Sequence, residues 1–401
     1  MTHFLQICIL LAILLLSAKL FGYISTRFGQ PSVLGELIVG IILGPSLLNI
    51  LNLPFLTYNE LPDFVATLAE LGVLFLMFIA GLELSLSDLA QNKSASMYGG
   101  TLGVVVPVAL GFFVGELFGM DANHSIFLGL TLGATSVSIS AQTLIELKVL
   151  RSRVGFGLLG AAVFDDILVI LLLSGFIALY SGGSILEILI VLVKMIAFLA
   201  LSLAFGYWLL PKISKKIKTL PIAQGVLTMA IIILLVYGVA AELLGGMAAI
   251  TGSFIAGLMF SRTKEKGEIE KGLHSLSYSL FVPIFFVNIG LNVDIRGMDP
   301  SVLWILLAIS FIAIIGKIIG AGLGARLGKF SWLESLQLGI GMISRGEVGL
   351  IVATIGLSEN LLNPDLYSVI VGMVIITTLV TPPLLRASFA SSTKTQKSRI
   401  A

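Results

Sequence analysis

Residues Val154–Tyr180 read VGFGLLGAAVFDDILVILLLSGFIALY, an apolar run long enough to cross a bilayer with two acids, Asp165 and Asp166, near its middle. Burying even one unpaired charge at that depth costs about 2.5–3.5 kcal/mol or more, so the pair marks a functional site. Adjacent helical residues point about 100° apart, which lets the two carboxylates face different partners. A carboxylate must lose its proton to bind a cation, so such a group can trade one for the other. The plainer reading, two acids bound permanently to basic partners, is an expensive way to hold helices together.

The rest of the chain has the same character. Of 401 residues, 57% are hydrophobic and 11% charged, against about 45–50% and 25% in soluble domains. The charges sit in short gaps between long apolar runs. Hydropathy divides the chain into thirteen candidate spans, at about 2–25, 32–50, 62–82, 95–117, 124–146, 154–180, 184–210, 220–243, 246–261, 274–292, 301–325, 333–357 and 366–388. The fold class expected is therefore an all-α polytopic membrane protein with 13 transmembrane helices. The first run lacks the basic start of a signal peptide, its first Lys or Arg being Lys19. The single cysteine, Cys8, excludes a disulfide framework. His3, His124 and His274 have no metal-ligand spacing, and no nucleophile–base constellation supports an enzyme.

Basic residues in alternate loops set the expected orientation. All but one of the loop Lys and Arg residues, from Arg27 to Arg399, fall in one set of loops; the opposite set holds Arg296. That bias predicts an N-terminus outside and a C-terminus in the cytoplasm of the cell's inner (plasma) membrane. These charges are topology determinants, and their spread over many loops gives no sign of nucleic-acid binding.

Other polar residues lie within the spans. Lys317, in Ile315-Gly316-Lys317-Ile318, is the natural counter-charge for one aspartate, or a second titrating group. About eight residues, roughly 12 Å, separate it from the span end, too far for easy snorkelling. Span five carries Thr135, Ser136, Ser138 and Ser140 at mid-depth, and span twelve carries four glycines with Arg345 and Glu347. Thirteen spans divide into two sets of six around a linking helix, and each interruption falls in the fifth helix of its set. Matched broken helices near the midplane point to a transport site within an inverted repeat. For the hydroxyl run alone, helix–helix packing is nearly as good a reading. Arg345 and Glu347, two residues apart, do not share a helix face. An ion pair to other helices is favoured for them over direct ion binding. Glu36 in span two either lines the cytoplasmic entrance or lies near that interface.

At these residues the sequence resembles the monovalent cation:proton antiporter-2 family. The resemblance is carried by Gly29–Pro45, Phe78–Glu83, the hydroxyl run at Thr135, Asp165-Asp166, Phe281–Phe286 and Ser344–Val348. The Asp-Asp pair with a lysine on span eleven is similar to the NapA-type sodium/proton branch. Kef-type potassium efflux members carry another residue at the first aspartate and a cytoplasmic nucleotide-binding domain. The resemblance implies a homodimer with a mobile core and a dimerisation domain, and two discontinuous helices that cross in the core. It divides the chain into dimerisation helices 1–92, core 93–182, a linking helix 183–211, dimerisation helices 212–292, core 293–390 and a cytoplasmic tail 391–401. It makes Asp166 the principal cation ligand and pairs Asp165 with Lys317, with Thr135 near the crossing.

The function expected is secondary active exchange of cytoplasmic Na⁺ (or Li⁺) for external protons, electrogenic with two protons per cation. K⁺/H⁺ exchange by the same machinery is the alternative. A passive channel lacks a visible filter motif, and a non-transporting sensor would not need the costly acids. No cofactor is expected; the ions are cargo.

Overall fold

The computed structural model describes residues 1–180, 185–292, 303–358, 361–362 and 364–397. Arg296, the exception to the charge bias, lies outside them. Among the described residues the chain is helix and loop, without a strand. In order, the helices are α1 His3–Arg27, α2 Ser32–Leu43, α3 Leu61–Glu83, α4 Leu86–Gln91, α5 Lys93–Leu117 and α6 Ala122–Gly133. Next come α7 Ser138–Glu146, α8 Arg153–Tyr180, α9 Ile185–Trp208, α10 Leu210–Lys218, α11 Gly225–Leu243 and α12 Ala249–Phe260. The last are α13 Lys266–Leu276, α14 Val282–Leu291, α15 Leu303–Leu327, α16 Trp332–Gly341, α17 Gly346–Ser358 and α18 Pro364–Lys397.

Among the described residues, ten stretches are long and apolar enough to cross a membrane, counting α6 with α7 and α13 with α14 as one each. The protein is thus a polytopic helical membrane protein. Three expected spans fall outside these ten, for local reasons. Span 32–50 holds only α2, because Gly44 turns extended ahead of Pro45. Span 246–261 holds the short α12, and 333–357 is split between α16 and α17. The last span continues as helix to Lys397.

Three helix starts show capping chemistry that bears on the site's surroundings. Ser331 and Glu334 form a reciprocal capping box on α16. Asp121 caps α6, accepting from the His124 N–H at 3.0 Å, which holds its carboxyl below the ordinary range. The α2 N-terminus is capped from another helix. The Glu146 carboxylate on α7 accepts from the Ser32 N–H at 2.5 Å, its hydroxyl at 2.7 Å and the Gln142 amide at 2.8 Å.

The chain divides into two compact units, one of Met1–Ala69, Asn92–Asp165 and Pro283–Ala401, the other of Glu70–Gln91 and Asp166–Val282. The division cuts α8 between the two aspartates.

In the first unit, α15 lies against α5 along glycines spaced every fourth residue, Gly316, Gly320 and Gly324, with Gly328 just past its end. A Cβ on Gly320 would meet the Leu102 carbonyl oxygen at 2.3 Å, and one on Gly324 the Tyr98 carbonyl at 2.1 Å. Backbone-to-backbone approach of this kind replaces the hydrophobic effect that lipid cannot supply. Gly324→Val should therefore push α15 off α5 and lower stability by about 1–3 kcal/mol or more. Thermal unfolding in detergent checks this; an unchanged midpoint would show that the two helices part freely.

Candidate functional site

The site is built on two helix interruptions. Helix α6 stops at Gly133, and Ala134 turns extended (φ −61°, ψ 144°) before α7 resumes at Ser138. Helix α16 stops at Gly341 and α17 begins at Gly346. Gly346 has φ +36°, which side chains rarely adopt, and a Cβ there would strike the Ser136 hydroxyl at 2.5 Å.

The interruptions are bonded to each other. The Ser136 N–H donates to the Ser344 carbonyl at 2.8 Å, and the Ser140 hydroxyl to the Gly341 carbonyl at 2.5 Å. Ser138 is fully buried with its hydroxyl 3.0 Å from that of Ser136. Two cationic side chains then satisfy the carbonyls at the end of α6. Lys317 Nζ donates to Gly133 at 2.7 Å, and Arg345 Nη2 to Leu132 at 2.9 Å. Arg345 also donates to Ala313 of α15 at 2.9 Å and to Ile343 in the second interruption. Such carbonyls lack intrahelical donors and carry the negative end of the helix dipole.

The aspartates have separate partners. Asp165, fully buried, accepts through Oδ2 from Lys317 Nζ at 2.7 Å and from the Thr135 hydroxyl at 2.6 Å. Its Oδ1 is buried with no hydrogen-bond partner. Lys317 is itself fully buried, held on the glycine-lined helix α15. Asp166, in the second unit, accepts through Oδ2 from the Thr251 hydroxyl of α12 at 2.8 Å. Asp165 is thus paired with the Lys317 ammonium, whereas Asp166 accepts from the Thr251 hydroxyl.

The other expected residues lie differently. Arg345 is fully buried, but its hydrogen bonds among the described residues go to carbonyls, where an ion pair was expected. The Glu347 side chain lies outside the described residues. Glu36 is buried on α2, near Gly22 of α1, and makes no described bond to either aspartate. Among the described residues no group of three His, Cys, Asp or Glu can hold a metal ion. Sequence reasoning missed Thr251. Its only signal is the Thr251-Gly252-Ser253 pair of hydroxyls within an otherwise apolar helix.

Known proteins were compared with the chain. Residues 12–388 match the family described as "Sodium/hydrogen exchanger, transmembrane". The Na⁺/H⁺-K⁺ antiporter GerN of Bacillus cereus is 41% identical over 387 residues, covering 96% of this chain and 97% of that protein. The Na⁺/H⁺ antiporter of Enterococcus hirae is 37% identical over 380 residues, covering 94% and 96%. The solved sodium proton antiporter MjNhaP1 of Methanocaldococcus jannaschii superposes with a TM-score of 0.67 at 19% identity, covering 97% and 98% of the two chains, a likeness of fold. With nearly its whole length matched, and with Asp165, Lys317 and Arg345 gathered at paired helix breaks, this chain belongs to the sodium/hydrogen exchanger family.

Proposed function

We propose that the protein is a secondary active antiporter exchanging cytoplasmic Na⁺ (or Li⁺) for external protons by alternating access. The observation that carries this reading is the fully buried Asp165–Lys317 ion pair beside Asp166. Lys317 neutralises one carboxylate and leaves the adjacent one as the exchangeable charge. A Na⁺ and a proton then compete for Asp166. Several relatives named as Na⁺/H⁺ antiporters, matched over nearly their full length, support the same cargo.

We read the chain as thirteen crossings: the ten long spans, α2, α12, and α16 with α17 as one interrupted span. The interruptions are the fifth members of two inverted six-helix sets and cross at the site, a reading supported by the bonds between them. The mobile core is 93–182 with 293–390. The dimerisation domain is 1–92 with 212–292, and 183–211 links the halves of a homodimer. Helix α9 is apolar and largely exposed, and so has the surface for lipid or a second copy. The amino terminus lies outside, the carboxyl terminus in the cytoplasm, and the membrane is the plasma membrane, where such exchange serves pH homeostasis.

Cation-dependent proton flux in proteoliposomes, compared across Na⁺, Li⁺ and K⁺, tests the reading. Na⁺ and Li⁺ should each collapse an imposed pH gradient. K⁺ stays within the test because GerN is named for Na⁺/H⁺-K⁺ exchange. Cation movement driven by voltage alone, with no counter-flow of protons, would make the protein a channel.

A further inference from the structure

We infer that Thr251 is a positioning residue for cation binding, whose hydroxyl fixes the Asp166 carboxylate in the orientation that receives the ion. This rests on the reading of Asp166 as the cation carrier. The Thr251 hydroxyl donates to Asp166 Oδ2 at 2.8 Å, both residues being buried; under the proposed division this bond joins the mobile core to the dimerisation helices, so it orients the carboxylate in one of the two access states. The terminal torsion of an aspartate is broad, so packing around Cβ leaves the carboxylate plane undetermined. A hydrogen-bond donor must set it. A hydroxyl does so without neutralising the charge, as the Lys317 ammonium does for Asp165. A carboxylate offers about four acceptor positions, and a single hydroxyl hydrogen occupies one.

The donor is itself held in place. A Cβ on Gly252 would meet the Tyr237 carbonyl of α11 at 2.1 Å, and one on Gly257 the Phe78 carbonyl of α3 at 2.0 Å. The Ser253 hydroxyl donates to the Leu74 carbonyl of α3 at 2.6 Å. Helix α12 therefore has its backbone against two neighbours, and Thr251 cannot follow a wandering carboxylate. No residue of α12 is charged, so the hydroxyl is what this helix offers Asp166. Fixing the acceptor before the ion arrives lowers the ordering cost of binding.

Thr251→Val keeps the shape and removes the donor, Thr251→Ala removes it without new bulk, and Thr251→Ser keeps it. Initial rates in proteoliposomes across Na⁺ concentrations separate KM from kcat. The Na⁺-induced rise in unfolding temperature in detergent reads binding directly. Losing a hydrogen bond to a charged acceptor should raise the apparent KM for Na⁺ about tenfold in the Val and Ala variants. The Na⁺-induced stabilisation should weaken in parallel, kcat at saturating Na⁺ should change little, and Ser should restore the parent KM. A KM unchanged in both Val and Ala variants, or a loss of kcat at unchanged KM, overturns the inference. Asp166→Asn measured alongside separates the two claims. Its inactivity with an unmoved Thr251→Val KM refutes the positioning role alone, whereas its activity refutes the carrier.

Discussion

Asp166→Asn should yield a folded, membrane-inserted protein whose Na⁺-driven proton flux falls to that of empty vesicles. The amide still accepts the Thr251 hydrogen bond and has nearly the shape of the acid, so the packing of α8 is kept. It cannot ionise, so it neither attracts Na⁺ nor releases a proton. Removing a buried charge costs the fold little, because membrane insertion no longer includes its desolvation. The expected result is therefore a split: unfolding temperature in detergent near that of the parent, transport absent. Flux that survives in correctly inserted Asp166→Asn protein would refute the assignment of the carrier.

Replacing Lys317 should have the second-largest effect, on stability as well as transport. Lys317→Gln leaves Asp165 fully buried without its counter-charge, a loss of about 3–5 kcal/mol for a broken buried pair. The double variant Asp165→Asn/Lys317→Gln should recover most of it, because both charges are gone. Under the proposed exchange, Na⁺ entering beside the aspartates displaces Lys317 from Asp165, and the displaced lysine gives up its proton. On that reading two protons would leave for each Na⁺ bound, and one net charge would cross per cycle. A potential of 100 mV contributes about 2.3 kcal/mol to such a turnover, so inside-negative voltage should accelerate Na⁺ efflux. Lys317→Gln should show no exchange or a voltage-insensitive one. Indifference of the unaltered protein to a potassium–valinomycin potential would end the electrogenic reading and leave Lys317 a structural residue.

Rarity explains which features the sequence discloses. Charged residues in apolar spans are few, so Asp165, Asp166 and Lys317 stand out without knowledge of their contacts. Hydroxyls are different: they enter membrane helices at small cost, and nothing in the chain ranks Thr251 above Ser253 or Thr131. Only the 2.8 Å bond to Asp166 does so. The interruptions are legible from Gly346 and the hydroxyl run, but the partners of Arg345 are not. An ion pair is the natural expectation for a buried guanidinium. Carbonyls from three segments take its place, Leu132 at the end of α6, Ile343 in the second interruption and Ala313 within α15, and their convergence depends on tertiary packing. The four-residue glycine period of α15 is visible in the chain, whereas the helix it faces is not. Nothing in the chain singles out Glu146, which becomes the cap of another helix.

The cationic capping of α6 bears on how tightly the two fluxes are tied. Unwound carbonyls are good seats for alkali ions, and an ion resting on them would be insensitive to acid. It could slip across with the carboxylate still protonated, dissipating the gradient without work. Here Lys317 and Arg345 already hold the Gly133 and Leu132 carbonyls, Arg345 holds Ile343, and Ser140 holds Gly341. Under the proposed exchange, the cargo is left to depend on an acid that a proton can switch off, and the expected result is a tightly coupled exchanger with little leak.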